Sequence, residues 1–382
     1  MFCCIIEIRS YRGDEFKMKD LFFNPVKVFA GRGCVSEYDF RALGKKCLVV
    51  SGARSARLSG ALDDLKGALT SQKVSFSVFE KVEQNPTVET CFAAGELARD
   101  MSADFIIGVG GGSPLDAAKA AAYIAPNRHL NVSNLYDAPC TNDPLPVIAI
   151  PTTAGTGSEV TQYSVLTCRA VENKKTLKSP KLFPVAALLD AEYTVTLPRN
   201  ITNATAVDAL SHAVEGYFSK SATVVSDALA EKAIFYMGRG LQSLAEGKLD
   251  SQLREKLLQG SMLAGLVISI TGTCFVHSFG YPLTYFEGIS HGAANAYFLA
   301  DFVKYSETVA PEKALKLYRL CRVKDNDEFR ALIEAAVPCD RRFERDLIMK
   351  YSRIGGNGGS VNRGVYEPTP DDVYNMYKRY MA

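Results

Sequence analysis

The sequence predicts an α/β half built on a parallel sheet, followed by an all-α half. Two observations predict it. From about Lys46 to Asp190 the short runs KCLVVS, FSVFE, DFIIGVG, PVIAIP and VAALLD alternate with longer helical stretches such as VETCFAAGELARDM, which is the rhythm of βαβ units. After Pro198 those runs stop, and SDALAEKAIFYMGRGLQSLAEG and LREKLLQGSMLAGLVISI carry apolar residues at helical spacing. With 382 residues, 47% of them hydrophobic, the chain can bury two cores. We divide it into 1–17, an amino-terminal extension, then 18–198, an α/β unit, and 199–382, a helical unit. The cleft between the last two is the expected site.

The elements follow in order. LFFNPVKVFAG is the first recognisable unit, and the CCIIEI run ahead of it reads equally as extension or as an ordinary first strand. The run from Phe105 to Val109 is apolar throughout and passes through Gly110, Gly111 and Gly112 into a helix that starts near Ser113. Glycines there let the backbone approach an anion, Ser113 can cap the helix with Asp116 completing a capping box, and Pro114 suits the first turn. The exposed amides and the helix dipole favour a pyrophosphate, although the spacing is not that of GxGxxG and the loop alone is equally a tight turn. The GGNGGS patch at 355–360 reads as a surface loop.

Bulk charge nominates no macromolecule. The net charge of +2 comes from 44 basic and 42 acidic side chains dispersed along the chain, so neither nucleic acid nor a membrane surface is expected as partner. Ten cysteines without a CxxC pair read as reduced thiols. No apolar run reaches the roughly 18 residues a span needs, and the amino terminus lacks the pattern of a signal peptide. The expected location is cytoplasmic.

Of four histidines, three sit in the helical half. In NATAVDALSHAVEGY, Asp208 and His212 stand four apart on a predicted helix, so both leave one face. His277 and His291 lie in GTCFVHSFGYPLTYFEGISHGAANAYF. Any one of these alone is more often a packed histidine than a ligand. One carboxylate and three imidazoles together suit Fe²⁺ or Zn²⁺, with an open position for a substrate oxygen. His129, in PNRHL, reads as a loop residue.

GGGSPLDAAK resembles the GGGSxxDxAK signature of the iron-containing (group III) alcohol dehydrogenases, and IPTTAGTGSEVT at 150–161 resembles their second signature. The Asp-plus-three-His pattern matches as well, and the resemblance covers residues 20–380. It implies a Rossmann-like dinucleotide-binding domain joined to a helical metal-binding domain, the fold shared with dehydroquinate synthase. It implies Asp208, His212, His277 and His291 as metal ligands. It implies Gly111, Gly112, Ser113, Asp116, Asn85, Thr152, Thr153, Thr156 and Lys174 as cofactor contacts, the last in a lysine-rich loop whose bland reading is solvated charge. Many members carry a further histidine four residues after the third ligand, and here that position is Tyr281, read either as a catalytic group or as an aromatic wall against the cofactor.

The reaction so implied is hydride transfer between an alcohol carbon and the nicotinamide, with the metal as Lewis acid at the alcohol oxygen. Tyr163, Phe279 and Tyr281 as pocket candidates suggest a small to medium primary alcohol or its aldehyde. A homodimer is expected from the resemblance. In NAD-preferring members an aspartate often stands where this chain has Gly52, and with Ser51, Arg54, Ser55 and Arg57 nearby the turn favours NADP(H) over NAD(H). Two rival readings are a lyase or cyclase like dehydroquinate synthase, and a non-catalytic dinucleotide-binding protein. The full ligand set stands against both.

Overall fold

A computed structural model describes residues 21–382. The extension 1–17, with its CCIIEI run, lies outside the described residues. Eight strands lie among the described residues: β1 (Lys27–Ala30), β2 (Lys46–Gly52), β3 (Ser75–Val82), β4 (Phe105–Gly110), β5 (Val147–Pro151), β6 (Tyr163–Cys168), β7 (Asn173–Lys178) and β8 (Ala186–Leu189). Six form one sheet in the order β1-β8-β5-β4-β2-β3, and every neighbouring pair runs parallel. The five runs read from sequence become β2, β3, β4, β5 and β8, while the first unit supplies β1.

The central strands are apolar without alternation because both faces are covered. Cys47, Val49, Phe105, Ile107 and Val109 pack on one side with Leu62, Leu65 and Leu69 of the Ala61–Ser71 helix. Leu48, Val50 and Ile106 turn to the other side, against Cys91, Ala94 and Ala98 of the Val88–Asp100 helix and Ala117 and Ala121 of the Gly112–Ile124 helix. Successive residues thus feed opposite cores, as the period of two requires.

β6 and β7 form a separate antiparallel hairpin. This corrects the reading of the lysine-rich stretch as a loop: Lys174, Lys175 and Lys178 lie on β7, and Lys181 lies in the 3-10 turn that follows. Only Leu177 of that strand is buried, so its sequence carries little strand signal.

Nine helices make up the second half: Arg199–Tyr217, Val224–Ala245, Ser251–Thr271, Phe275–Glu287, His291–Glu307, Pro311–Cys321, Asn326–Ala336, Arg345–Gly356 and Pro370–Lys378. The first is buried almost all round from Ala206 to Tyr217, so polar residues on it must find partners inside the protein. The GGNGGS patch is not simply a surface loop. Gly355 lies in the last turn of the Arg345–Gly356 helix in a buried position, where a Cβ would come within 2.4 Å of the Tyr377 hydroxyl and 3.2 Å of Phe279 Cα. Sheet half and helical half meet closely at two glycines: a Cβ on Gly157 would lie 2.4 Å from Gly265 Cα, and one on Gly265 would lie 2.5 Å from the Gly157 oxygen. The eight described cysteines are all free thiols. No single described helix is long and apolar enough to cross a membrane.

Candidate active site

Gly110 closes β4 with φ +144°, a conformation open to glycine. The next helix begins at Gly112 with Gly111 as its N-cap. Ser113, expected to cap that helix, lies inside its first turn, and its hydroxyl accepts the Asn85 amide at 3.1 Å. The capping box is therefore absent, and the first-turn amides keep no side-chain partner, which leaves them for an anion. Gly111 and Gly112 face the second signature: a Cβ on Gly111 would lie 3.2 Å from Thr153 Cγ2, and one on Gly112 would lie 2.5 Å from Thr156 Cγ2. The two motifs pack because both lack a side chain there. Thr152 is buried beside them with its hydroxyl unpartnered.

Asp116 looks away from that cradle. Its carboxylate accepts the Val165 amide at 2.9 Å and the Ser158 hydroxyl, and it pairs with Lys119 Nζ at 3.1 Å. Lys119 is fully buried and also donates to Ser158 Oγ at 2.7 Å and to the Tyr163 carbonyl. Burial depresses its ionisation while Asp116 supports it. Glu159, equally buried, is pushed up to about 7 by burial. This polar core clamps the hairpin to the helix behind the glycine loop, and on the other side Thr167 Oγ1 donates to the Asn85 carbonyl at 2.8 Å. Asn85 itself adopts φ +58°. Gly52 ends β2, with Val82 O only 3.2 Å from where its Cβ would stand.

The metal candidates converge on one oxygen. Nε2 of His212, His277 and His291 lie 4.0, 3.7 and 3.8 Å from Asp208 Oδ1. The ligand atoms of Asp208, His277 and His291 all fall within 4.8 Å of one another. His212 joins through Asp208 and stacks on His277 with ring centroids 4.6 Å apart. Burial lowers His212 to about 4, and burial, aided by Lys174, holds His291 well below the usual histidine range. Three imidazole nitrogens gathered round one carboxylate oxygen, with His212 and His291 held toward the neutral form, are a donor set that fits a divalent metal.

Two residues that sequence reading missed complete the cluster. Glu215 is fully buried; one of its oxygens takes His277 Nδ1 and the other the Cys274 amide at 2.9 Å. Burial alone would depress His277, but the Glu215 charge and hydrogen bond reverse the shift upward. Asn295 Nδ2 donates to Asp208 Oδ1 at 2.9 Å and lies 3.2 Å from His277 Nε2. Glu215 was findable, since it stands seven residues after Asp208 on the face that carries His212. Asn295, four after His291 in HGAAN, had only that spacing to mark it.

Tyr281 stacks on His291, centroids 5.5 Å apart, and Lys174 Nζ sits 5.5 Å above its ring. Burial pushes Lys174 down to about 8 against the pull of Asp208 and Asp116. Lys174 thus reaches from the hairpin to the metal cluster. Tyr163 donates to the Ile268 carbonyl at 3.3 Å. Phe279, expected in the pocket wall, is instead fully buried in the helical core, with Phe275 at 4.9 Å and Phe298 at 5.6 Å; its register on the helix turns it from His277. His129 lies in a surface turn, its Nε2 bonded to the Pro139 carbonyl at 2.9 Å.

Residues 25–191 match the family described as iron-containing alcohol dehydrogenase, and residues 202–338 match the carboxy-terminal part of the Fe-containing alcohol dehydrogenase family. Long-chain-alcohol dehydrogenase 1 of Geobacillus thermodenitrificans (strain NG80-2) is 35% identical over 312 residues, 80% of this chain and 78% of its own length. The NADPH-dependent butanol dehydrogenase of Clostridium saccharobutylicum is 33% identical over 310 residues, covering 80% and 79%. The crystal structure of sulfoacetaldehyde reductase from Bifidobacterium kashiwanohense in complex with NAD+ superposes with a TM-score of 0.85 at 28% identity, over 96% of this chain and all of that one.

Proposed function

We propose, since this chain belongs to the iron-containing alcohol dehydrogenase family, that it interconverts a small to medium primary alcohol and its aldehyde by hydride exchange with a nicotinamide dinucleotide. The observation that carries the reading is the convergence of three imidazole Nε2 atoms on Asp208 Oδ1 within 4.0 Å. Asp208, His212, His277 and His291 would hold Fe²⁺, and the same ligands serve Zn²⁺. A divalent ion there supplies Lewis acidity toward the substrate oxygen.

The rest falls to the chain's own groups. Gly111, Gly112 and Ser113 offer helix amides to the pyrophosphate, with Asn85, Thr152, Thr153 and Thr156 around it. Asp116 acts through the hairpin it anchors and not by direct contact. Lys174 brings a cation to the dinucleotide beside the reacting end. Tyr281, stacked on His291, walls the nicotinamide side and keeps water out. Its phenol is held protonated by burial and the nearby carboxylates, which suits a hydrogen-bond donor more than a base.

The reading extends to cofactor choice, compartment and assembly. NADP(H) is favoured because Gly52 puts no carboxylate at the end of β2. Arg57 is clasped by Glu80 at 2.6 Å, so Arg54 is the cation left for a 2′-phosphate. Free thiols accord with the cytoplasm. β1 is an exposed edge strand along all four residues, an edge that a dimer would cover.

Metal-free protein reloaded with Fe²⁺ or Zn²⁺ and given a panel of alcohols should form reduced dinucleotide over many turnovers. Metal bound in stoichiometric amount but no turnover with any alcohol or aldehyde would sink the reading.

A further inference from the structure

The β6–β7 hairpin owes its place to what holds it. Two strands outside the main sheet are marginal alone, and of β7 only Leu177 is buried. At the open end the helix behind the glycine loop grips it: the Val165 amide donates to the Asp116 carboxylate at 2.9 Å and the Ser164 hydroxyl to the Asp116 carbonyl at 2.8 Å. Near the tip the holding residue on β6 is Thr167. Its amide donates to the Pro86 carbonyl at 2.8 Å, its hydroxyl donates to the Asn85 carbonyl at 2.8 Å, and it bridges to Thr87. On β7 the Tyr136 hydroxyl adds a longer contact, 3.3 Å to the Lys175 carbonyl.

Thr167 stands directly opposite Lys174 in the antiparallel register. Opposed residues of such a pair leave the same face. The hydroxyl that holds Asn85 and the ammonium that overlies Tyr281 at 5.5 Å therefore project side by side from one end of the hairpin. No ion pair among the described residues fixes that ammonium, so its position follows from its strand. The Asn85 turn is itself fixed to the glycine loop, its amide donating to the Ser113 hydroxyl at 3.1 Å. Asn85 takes φ +58° there, a left-handed conformation that persists only where neighbours hold it. Ser113 takes its N–H and Thr167 its carbonyl. Ser113, Asn85, Thr167 and Lys174 thus form one path from the helix amides to the cation beside Tyr281, through segments far apart in sequence.

We infer that Thr167 is a positioning residue: it ties the hairpin to the Asn85 turn, so that Lys174 and the amides of the glycine loop meet one dinucleotide at a fixed separation. This rests on the reading above in which Lys174 meets the dinucleotide.

The test titrates NADH or NADPH, whichever the parent binds more tightly, into metal-loaded protein. Thr167→Val keeps the β-branched shape and loses the hydroxyl, so the dinucleotide Kd should rise about fivefold, the scale of one neutral hydrogen bond. Thr167→Ser keeps the hydroxyl and should stay near the parent. Lys174→Met should weaken binding as well, and Thr167→Val in that background should add little. Full additivity overturns the inference, since Thr167 would then act without Lys174. So does parent-like binding by Thr167→Val beside a weakened Lys174→Met. Hydrogen exchange reads the tie without dinucleotide. Amides from 163 to 178 should exchange faster in Thr167→Val than in the parent or Thr167→Ser, with the rest of the chain unchanged. Unchanged exchange there, or faster exchange throughout the chain, overturns the inference. If Lys174→Met binds dinucleotide as the parent does, the dinucleotide role of Lys174 fails by itself, and the exchange comparison decides whether Thr167 holds the hairpin.

Discussion

Glu215 accepts His277 Nδ1 with one carboxylate oxygen and the Cys274 amide with the other, so a single buried charge fixes both the tautomer of His277 and the start of the helix that carries it. The Nε2 lone pair is then the one that faces Asp208. We expect Glu215→Gln to lower metal affinity by about 10- to 100-fold, because an amide can present either end to Nδ1 and no longer holds the tautomer. His277→Ala should abolish metal binding and turnover while the chain stays folded. Competition with a chelator measures the first and a melting curve the second; unchanged metal affinity in Glu215→Gln would show that the carboxylate only packs.

The glycine loop yields a test by added atoms. Gly112→Ala places a methyl 2.5 Å from Thr156 Cγ2, so one of the two motifs must move and the amides leave the phosphate. The dinucleotide KM should rise about tenfold, equivalent to roughly 1.4 kcal/mol of lost binding. Thr156→Ser in that background removes the obstructing methyl and should recover part of the loss. Strictly additive effects in the four-way comparison would show that the two sites do not touch in solution.

Glu159 gives a pH signature. Its carboxyl is raised from 4.5 to about 7, chiefly by burial, so between those values the folded chain holds more protons than the unfolded one. Stability contributed there falls as pH rises, and the penalty is fully present above pH 7. Glu159→Gln should therefore stabilise the fold at pH 8 by on the order of 1 to 3 kcal/mol, read as a higher melting temperature, and change little at pH 5. A gain at pH 5 equal to that at pH 8 would contradict the raised ionisation.

Cofactor choice is tested at Gly52. Gly52→Asp should shift the kcat/KM ratio toward NAD(H) by about tenfold or more, through repulsion of the 2′-phosphate. The new Cβ must settle against Val82 O at 3.2 Å, so Gly52→Ala serves as control for that crowding. Equal or better use of NAD(H) by the parent refutes the preference, and an aspartate variant indistinguishable from the alanine one shows that this turn does not read the ribose.

Most of the sheet, and the four residues that gather in the candidate metal cluster, could be read from sequence because their signals are local. Buried parallel strands appear as unbroken apolar runs, and Asp208 with His212 repeats at one helical turn. What escaped depended on contacts distant in sequence. β7 reads as solvated lysines because only Leu177 turns inward, while its lysines face solvent or lie over tyrosines from elsewhere in the chain, Tyr281, Tyr136 and Tyr163. Ser113 looks like a cap until the loop at Asn85, 28 positions away, takes its hydroxyl. Phe279 and Tyr281, two apart, point to different surroundings, and no local pattern says which of them faces the cleft. Gly355 reads as loop material until Tyr377 and Phe279 close over it.

The meeting of Gly157 with Gly265 has a mechanical consequence. Interfaces lined by side chains can shear, because rotamers give and neighbours slide by fractions of an ångström. Two backbones in contact have nothing to give. Opening and closing of the cleft around its ligands would then turn the two halves about this point as about a pivot, and not slide them across it.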